Sequence, residues 1–188
     1  MREVNLSNVQ ESTEFEKVVP GGYVCIIKTA DDVSEKEYLE LTYDIAEGSL
    51  KGHYADEFFS DKAYAHRFFR SYKEKALPFF KAFITAAEES NRGYKWNNDE
   101  RTLANKIVGL VIAEEEYNGS DGSIKKRLYV AKCTSADKIR KKDFTVPELK
   151  RLSGNTQQSQ PAQTQNQAAI IGDISSFEEI LTDDGCPF

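Results

Sequence analysis

A chain of 188 residues is long enough for one folded domain with a tail, and its apolar content of 39% suffices for a core. No apolar run approaches the length that spans a bilayer, and the N-terminus lacks the charged and then apolar pattern of a secretion signal, so we expect a soluble protein of the cytoplasm. The 3 cysteines are far apart, which argues against a zinc ribbon or a disulfide framework. A net charge of −6 counts against nucleic-acid binding, but charges of the two signs are segregated along the chain.

The first part of the chain is predicted to form strands after an irregular lead-in at residues 1–20. Tyr23–Thr29 and Glu37–Ile45 are rich in β-branched and aromatic residues and are bounded by turn residues, which predicts two strands. Gly48 and Gly52 flank a short segment, so we expect a third strand there, with a bulge or a sharp bend.

The middle of the chain is predicted to be helical. Aromatic residues recur at helical spacing from Lys62 to Lys75 and from Leu77 to Glu89, and Pro78 is tolerated in a first helical turn. We therefore expect two helices whose aromatic residues belong to the core. A polar loop ends at Asn97-Asn98-Asp99, which could cap a short turn from Glu100 to Ala104.

Two further strands are predicted after the helices. Ile107–Ala113 is almost continuously apolar, as in a buried strand, and Asn118–Gly122 is typical of a hairpin loop. The return strand Ile124–Cys133 alternates basic and apolar residues. A period of two predicts one face with Lys126, Leu128, Val130 and Lys132, and another with Lys125, Arg127 and Tyr129.

The order of these elements indicates the fold class. Two strands, a third strand, a helical region and a hairpin follow the order of an OB-fold, a five-stranded Greek-key barrel with a helix between its third and fourth strands. We therefore expect residues 21–152 to form a mainly β OB-fold domain with a large helical insertion.

The C-terminal part of the chain is predicted to be a linker with an acidic tail. Residues 153–169 contain no charged and no large apolar residue, which is typical of a flexible linker. Residues 170–188 contain acids but no lysine or arginine, and Pro187 prevents regular structure near their end. The tail therefore offers negative charge and the Phe188 ring to a basic pocket with an apolar hole.

The end of this tail resembles the tip of bacterial and phage single-stranded DNA-binding proteins. The residues that match are Asp183, Asp184, Pro187 and Phe188, while Cys186 stands where that family usually has an aliphatic residue. In that family the acidic tip lies on a disordered linker and recruits replication and repair enzymes. The resemblance implies the same partners for this tail.

The body is similar to a family of small OB-fold single-stranded DNA-binding proteins from phages of Gram-positive bacteria. The residues that carry this resemblance are Gly22-Tyr23, Tyr38-Leu39-Glu40-Leu41, the pair Gly48 and Gly52, Val108-Gly109, Glu114-Glu115-Glu116-Tyr117, and the basic stretch from Lys125 through Phe144 to Val146-Pro147-Glu148-Leu149. The resemblance implies a phage or prophage protein in the host bacterial cytoplasm that binds single-stranded DNA.

Candidate DNA-binding residues are concentrated in the second half of the body. Lys125 to Arg151 holds ten cations against three acids. Cations that follow a phosphate backbone, beside aromatic rings on which bases stack, are the two ingredients of sequence-tolerant single-strand binding. Charged strands also protect sheet edges, and Tyr and Trp are common at core boundaries, so a structural role is the alternative for each residue. The candidate cations are Lys125, Arg127, Lys132, Lys138, Arg140, Lys141 and Lys142, and the candidate stacking residues are Tyr23, Tyr38, Tyr54, Trp96 and Tyr129.

We therefore predict a protein that binds and protects single-stranded DNA in phage replication or recombination, without catalysis, metal or cofactor, and that recruits enzymes through its tail. The alternative is a protein–protein adaptor in the same machinery, with incidental DNA contact. A metal-dependent nuclease using Glu114, Glu115 and Glu116 is less favoured, because adjacent strand residues alternate faces and at most two of these carboxylates converge. The sequence leaves homo-oligomerisation open.

Overall fold

Antiparallel strands form a single five-stranded sheet in the computed structural model, which describes residues 16–55 and 66–152. The predicted linker at 153–169 and the acidic tail at 170–188, with its tip, lie outside the described residues. Of the predicted lead-in, residues 16–20 are described. The mainly β class is confirmed.

The sheet has the order β3-β2-β1-β4-β5. The strands are β1 (Gly21–Val33), β2 (Tyr38–Ile45), β3 (Arg67–Ser71), β4 (Ile107–Asn118) and β5 (Ile124–Thr134). Helix α1 (Leu77–Ser90) lies between β3 and β4, and the short helix α2 (Ala136–Arg140) follows β5. Short 3-10 helices lie at Ser34–Lys36, Glu74–Ala76 and Glu100–Leu103. Neither α-helix of the described ranges has the length and apolar character needed to cross a membrane.

The predicted position of the third strand is wrong. Gly48 and Gly52 have φ values of 90° and 76° and lie in consecutive turns instead of a strand. The third strand is Arg67–Ser71, inside the predicted helix Lys62–Lys75. Closely spaced aromatic residues fit a helix or a strand equally well, and antiparallel pairing with Tyr38–Thr42 of β2 selects the strand.

Strand β1 is central and has two partners. Its first half, Gly21 to Ile26, pairs with β4, and its second half, Cys25 to Val33, pairs with β2. A register shift between Ile27 and Thr29 leaves Lys28 without a partner on β2, just beyond the residues that pair with β4. Such a bulge bends the strand and increases its twist, so the two halves of the sheet curve away from each other at this point.

One face of the sheet, here called the inner face, carries the larger core. Residues that pair directly in antiparallel strands point to the same side, so Cys25, Ile45 and Val108 share this face. Helix α1 covers it and inserts Phe83, which is fully buried. The main buried side chains are Cys25, Ile27, Leu39, Leu41, Ile45, Phe68, Phe83, Val108, Leu110 and Ile112.

Helix α1 confirms the predicted helix over 77–89. Pro78 lies in its first turn, where the missing N–H of proline costs no hydrogen bond. The helix ends at Asn91, whose side-chain amide donates to the carbonyls of Ala87 and Ile107 and accepts from the N–H of Ile107. Asn91 therefore attaches the end of the helix to the first residue of β4.

The opposite face, the outer face, carries a smaller core beneath α2. Its buried members are Val24, Val111, Ala136 and Ile139. Two strand positions require glycine for this packing. A Cβ atom on Gly109 would lie 2.6 Å from Ile139, and one on Gly22 would overlap the ring of Phe144. The segment that follows β5 can therefore lie directly on β1 and β4.

The edge strands β3 and β5 approach each other. Arg70 of β3 donates from Nη2 to the Sγ atom of Cys133 in β5 at 3.0 Å. In a flat sheet with a strand spacing of about 4.8 Å, the two edges would lie roughly 19 Å apart, beyond the reach of an arginine side chain. The sheet is therefore strongly curled. No backbone hydrogen bond joins the described residues of β3 and β5, so the sheet is open, and the predicted closed barrel is not confirmed.

We expect Gly109→Ala to destabilise the protein, because its Cβ would lie 2.8 Å and 2.9 Å from the carbonyl oxygens of Ser135 and Thr134, which cannot move without displacing α2. The expected loss in the free energy of unfolding is about 1–3 kcal/mol, the usual cost of overpacking, measured by urea unfolding. Gly21→Ala is the control, since its Cβ would meet ordinary contacts from 3.5 Å outward. Equal stability of the two variants would contradict the packing of α2 on β4.

Candidate nucleic-acid interface

A bulge in β5 changes which residues share its outer face. Val130 and Cys133 both pack in the inner core, although an unbroken strand would place them on opposite faces. Lys132 pairs with Val111 while Val130 pairs with the next residue of β4, which leaves Ala131 as the extra residue. The prediction that Lys132 shares a face with Val130 is therefore wrong. The outer face of β5 presents Lys125, Arg127, Tyr129 and Lys132.

An ion pair with a buried carboxylate fixes the centre of this face. Arg127 donates from Nε to Oε1 of Glu115 at 2.5 Å, and the Glu115 side chain is 8% exposed. The guanidinium carbon lies 5.3 Å from the ring centre of Tyr117, within cation–π range. Burial and the negative charge of Glu115 raise the pKa of Tyr129, which keeps its hydroxyl neutral. The outer face therefore holds a positioned cation beside a neutral, half-buried aromatic ring.

The carboxylates that face Lys125 and Lys126 are more exposed than Glu115, the partner of Arg127. Lys125 lies 3.0 Å from Asp121, and Lys126, on the inner side of the strand, lies 3.6 Å from Glu114. Exposed ion pairs of this kind contribute at most about 1 kcal/mol, so a phosphate can replace the carboxylate at little cost. Lys132 is exposed and makes no ion pair with any residue that the structure describes.

Residues 136–144, here called the basic segment, continue the outer face beyond β5. Arg140 donates to both carboxylate oxygens of Glu47, at 2.6 Å and 3.1 Å, and to Asp137 at 2.6 Å. Its guanidinium is therefore engaged in attaching the basic segment to the end of β2. The exposed lysines of this segment, which form no ion pair within the described ranges, are Lys138, Lys141 and Lys142. They are better placed than Arg140 to meet phosphate.

Of the five predicted stacking residues, Tyr129 is the one that lies with these cations while keeping part of its ring accessible. Tyr38 and Tyr54 are 8% and 5% exposed, so they are core residues in this structure. Tyr54 stacks on His66 with ring centres 5.0 Å apart, and Tyr38 meets Phe69 edge-on at 5.2 Å. Their burial leaves little ring surface for a base, in contrast to the prediction.

Tyr23 and Trp96 are half-buried and lie away from the outer face of β5. Tyr23 pairs with an inner-face residue of β4, and its hydroxyl donates to the carbonyl of Val19 at 2.7 Å. Trp96 packs against Phe80 of α1 with ring centres 6.3 Å apart. Because α1 covers the inner face, Trp96 lies on the opposite side of the sheet from Arg127. The structure does not bring these two residues together with the predicted cations.

Arg67 and Phe69 of β3 reach the outer face, although the sequence pattern predicted a helix for this segment. Arg67 and Phe69 pair with outer-face positions of β2, and Arg67 forms an ion pair with Glu40 at 2.7 Å. Arg70 of the same strand points to the inner side and contacts Cys133 of β5 there. The sequence pattern does not predict this placement, because the two arginines of the strand point to opposite faces, Arg67 to the outer face and Arg70 to the inner face.

The three successive glutamates of β4 diverge. Glu115 points to the outer face and binds Arg127, whereas Glu114 and Glu116 pair with inner-face positions of β5. Glu116 also accepts a hydrogen bond from the N–H of Leu152 at 3.3 Å. In residues 16–55 and 66–152, no group of three or more Asp, Glu, His or Cys side chains is arranged to hold a metal ion.

No protein-family model matches this chain, and a search of curated proteins found no significant match. Its function is therefore inferred from the contacts, exposure and charges of the outer face.

We expect Glu47→Gln to weaken the attachment of the basic segment and to lower the free energy of unfolding by up to about 1 kcal/mol. Hydrogen bonds from Arg140 hold the pKa of the Glu47 carboxyl below its ordinary value of 4.5. The contribution is therefore complete above that value and is lost as the pH falls through the lowered pKa. Urea unfolding should separate variant from wild type at neutral pH and bring them together in acid.

The matched control for this experiment is Glu35→Gln. It removes an exposed carboxylate that forms no ion pair among the described residues, so its unfolding should follow wild type at every pH. A difference between Glu47→Gln and wild type that stayed constant into acid would argue against the ion pair with Arg140.

Proposed function

We propose that this protein is an OB-fold single-stranded DNA-binding protein that coats exposed DNA without sequence preference. The observation that carries the proposal is the outer face of β5, where Lys125, Arg127 and Lys132 lie beside the half-buried ring of Tyr129. Cations that follow the phosphates, next to a ring on which bases stack, suit sequence-tolerant binding of a single strand. The function is protection of DNA, in which no covalent bond is made or broken.

The strand order supports the OB-fold as the class. An OB-fold barrel is often partly open, and its first strand pairs with the second and the fourth, as β1 does here. The helix between β3 and β4 and the close approach of β3 to β5 agree with this class. OB-folds bind oligonucleotides on the face of the second and third strands and with the loop between the fourth and fifth. In this protein the corresponding parts are the outer face of β2 and β3, which includes Phe69, and the β4–β5 hairpin.

The proposed path of the DNA strand follows the exposed cations. It runs along β5 from Lys125 to Lys132, a distance of roughly 20 Å in an extended strand, which is enough for several nucleotides. It continues toward the lysines of the basic segment, Lys138, Lys141 and Lys142. Tyr129 supplies a stacking surface within the path, and Phe69 supplies a second one across the line where β3 meets β5.

We extend the proposal to the tail of residues 170–188. Its acidic residues and the ring of Phe188 suit a basic pocket with an apolar hole on a replication or recombination enzyme. Asp183, Asp184 and Pro187 match the tip of proteins that recruit such enzymes to coated DNA. In this account the body holds the DNA, in phage replication or recombination within the bacterial cytoplasm, and the tail brings the enzymes.

One observation favours the second candidate, a protein–protein adaptor. Two cations of the outer face are paired with acidic residues of the same chain, Arg127 with Glu115 and Lys125 with Asp121. These ion pairs lower the positive charge that the surface offers to phosphate. In that account the outer face binds a protein of the same machinery. Salt separates the two candidates, because DNA binding releases counterions and weakens steeply as the salt concentration rises.

We expect the full chain to bind an oligo-dT strand in preference to duplex DNA, and Lys132→Gln with Lys141→Gln to weaken this binding. Each lost phosphate contact should reduce the slope of log affinity against log salt by roughly 0.7. Fluorescence anisotropy at several salt concentrations measures both quantities. The matched control is Lys75→Gln with Lys81→Gln, two exposed lysines beside or within α1. Equal salt slopes for the two double variants would contradict the proposed path. If neither the wild type nor any variant bound oligo-dT, the adaptor would be the better account.

We expect Tyr129→Ala to weaken oligo-dT binding by about 1–3 kcal/mol, the usual contribution of one base stacked on an aromatic residue. Tyr129→Phe should bind like wild type, because it keeps the ring. An abasic oligonucleotide of the same length provides the control for the DNA, since it has phosphates but no base to stack. If Tyr129→Ala lost the same affinity for abasic and normal strands, Tyr129 would act through the fold and not by stacking.

A further inference from the structure

Arg70 is a charged residue on the buried side of an edge strand. It is 8% exposed, and its guanidinium lies 4.9 Å from the ring centre of Phe68. Its Nη1 donates to the carbonyl of Phe69 at 2.7 Å, and its Nη2 donates to the Sγ atom of Cys133 at 3.0 Å. A buried guanidinium is costly unless its donors are satisfied, so these contacts determine where Arg70 can lie.

The contact with Cys133 joins two strands that have no backbone pairing with each other. Among the described residues, β3 pairs with β2 and β5 pairs with β4, and no backbone hydrogen bond crosses from β3 to β5. Helix α1 packs against both strands from the inner side. The hydrogen bond between Arg70 and Cys133 is therefore a direct polar link across the gap, which we call the β3–β5 junction.

Cys133 accepts this hydrogen bond as a neutral thiol. Burial raises the pKa of its thiol, although Arg70 acts in the opposite direction, so the group stays protonated at neutral pH. A neutral thiol accepts a hydrogen bond only weakly. The positive charge of the Arg70 guanidinium compensates for this weakness, because a charged donor forms a stronger hydrogen bond than a neutral one.

The outer side of the same junction belongs to the proposed DNA path. Phe69 precedes Arg70, and Lys132 precedes Cys133, and both point to the outer face. A movement of β3 away from β5 would therefore separate both Arg70 from Cys133 and Phe69 from Lys132. The position of β3 therefore decides whether the two outer faces form one surface.

We propose that Arg70 is a positioning residue that holds β3 against β5, so that Phe69 and Lys132 present one continuous surface to the DNA strand. The part of this inference that concerns DNA rests on the proposed function, whereas the part that concerns the junction does not.

The first test uses the full chain without DNA and measures how fast a thiol reagent modifies each cysteine, by mass spectrometry of peptides. Cys133 lies at the junction, whereas Cys25 is fully buried in β1, which pairs with β2 and β4 and with neither edge strand, so Cys25 reports opening of the whole core. We expect Arg70→Met to increase the rate at Cys133 at least tenfold and to leave Cys25 unchanged. Arg70→Lys keeps a charge and a donor, so it should react more slowly at Cys133 than Arg70→Met does.

Arg67→Met is the matched control, since it removes a cation from the outer side of the same strand. Its Cys133 should react at the wild-type rate. An unchanged rate at Cys133 in Arg70→Met, or an equal increase at both cysteines, would overturn the proposal, because the first shows no link and the second shows general destabilisation.

If Arg70→Met does not fold, two substitutions of Cys133, the acceptor, test instead whether the hydrogen bond holds β3 against β5. Cys133→Ser keeps an acceptor for Arg70, and Cys133→Val removes it. Hydrogen exchange at the amides of residues 67–71 should speed up in Cys133→Val and stay near wild type in Cys133→Ser. Equal exchange in the two variants would overturn the proposal.

The second test adds oligo-dT and separates this inference from the proposed function. Bound oligo-dT should slow the modification of Cys133 in the wild type, and Arg70→Met should bind the oligonucleotide at least threefold more weakly than wild type. If the wild type binds and Arg70→Met binds equally well, the positioning role is wrong and the proposed function stands. If the wild type does not bind, the proposed function fails, and the modification rates still decide whether Arg70 holds the junction.

Discussion

The backbone donors and acceptors on both edges of strand β1 must be paired, and the placement of the other elements follows from this requirement. Gly21 to Ile26 pairs with β4, while Cys25 to Val33 pairs with β2, so the two halves of the sheet meet along a few shared residues. The bulge at Lys28 lets the strand bend just beyond the residues that pair with β4. The bend contributes to the curl of the sheet, which gives α1 a concave face to fill and brings β3 near β5.

The cations of the outer face differ in how firmly they are held. Arg127 lies against the buried carboxylate of Glu115, so its position is set by the fold. Lys138, Lys141 and Lys142 are exposed on a segment that Arg140 attaches to Glu47. A fixed cation can orient a bound strand, whereas exposed lysines contribute through counterion release and tolerate many backbone geometries. The combination of the two kinds suits a ligand that is bound for its backbone and not for its sequence.

Sequence patterns predicted the elements whose signals are local. Helix α1 and the hairpin of β4 and β5 were predicted, and the Asp99 carboxylate accepts the N–H of Arg101 as the expected cap. The position of β3 was not predictable, because only pairing with β2 distinguishes it from a helix. The outer placement of Lys132 depends on a one-residue bulge, which alternation cannot detect. Burial of Tyr38 and Tyr54 likewise depends on long-range packing. The sequence therefore predicted the kinds of residue in the candidate site and the strand that carries most of them. It did not predict which individual residues belong to the site.

The short bridge at Lys150 has a consequence for how this protein meets copies of itself. β4 extends past its last β1 partner, Ile112, so Ala113 to Asn118 would present a free edge on that side. Lys150 pairs with this edge in parallel through hydrogen bonds with Glu114 and Glu116. An uncovered strand edge is a template on which another chain can add a strand and begin to aggregate. Lys150 therefore covers the edge of β4 from Glu114 to Glu116, which leaves less of this edge open to a second copy of the chain.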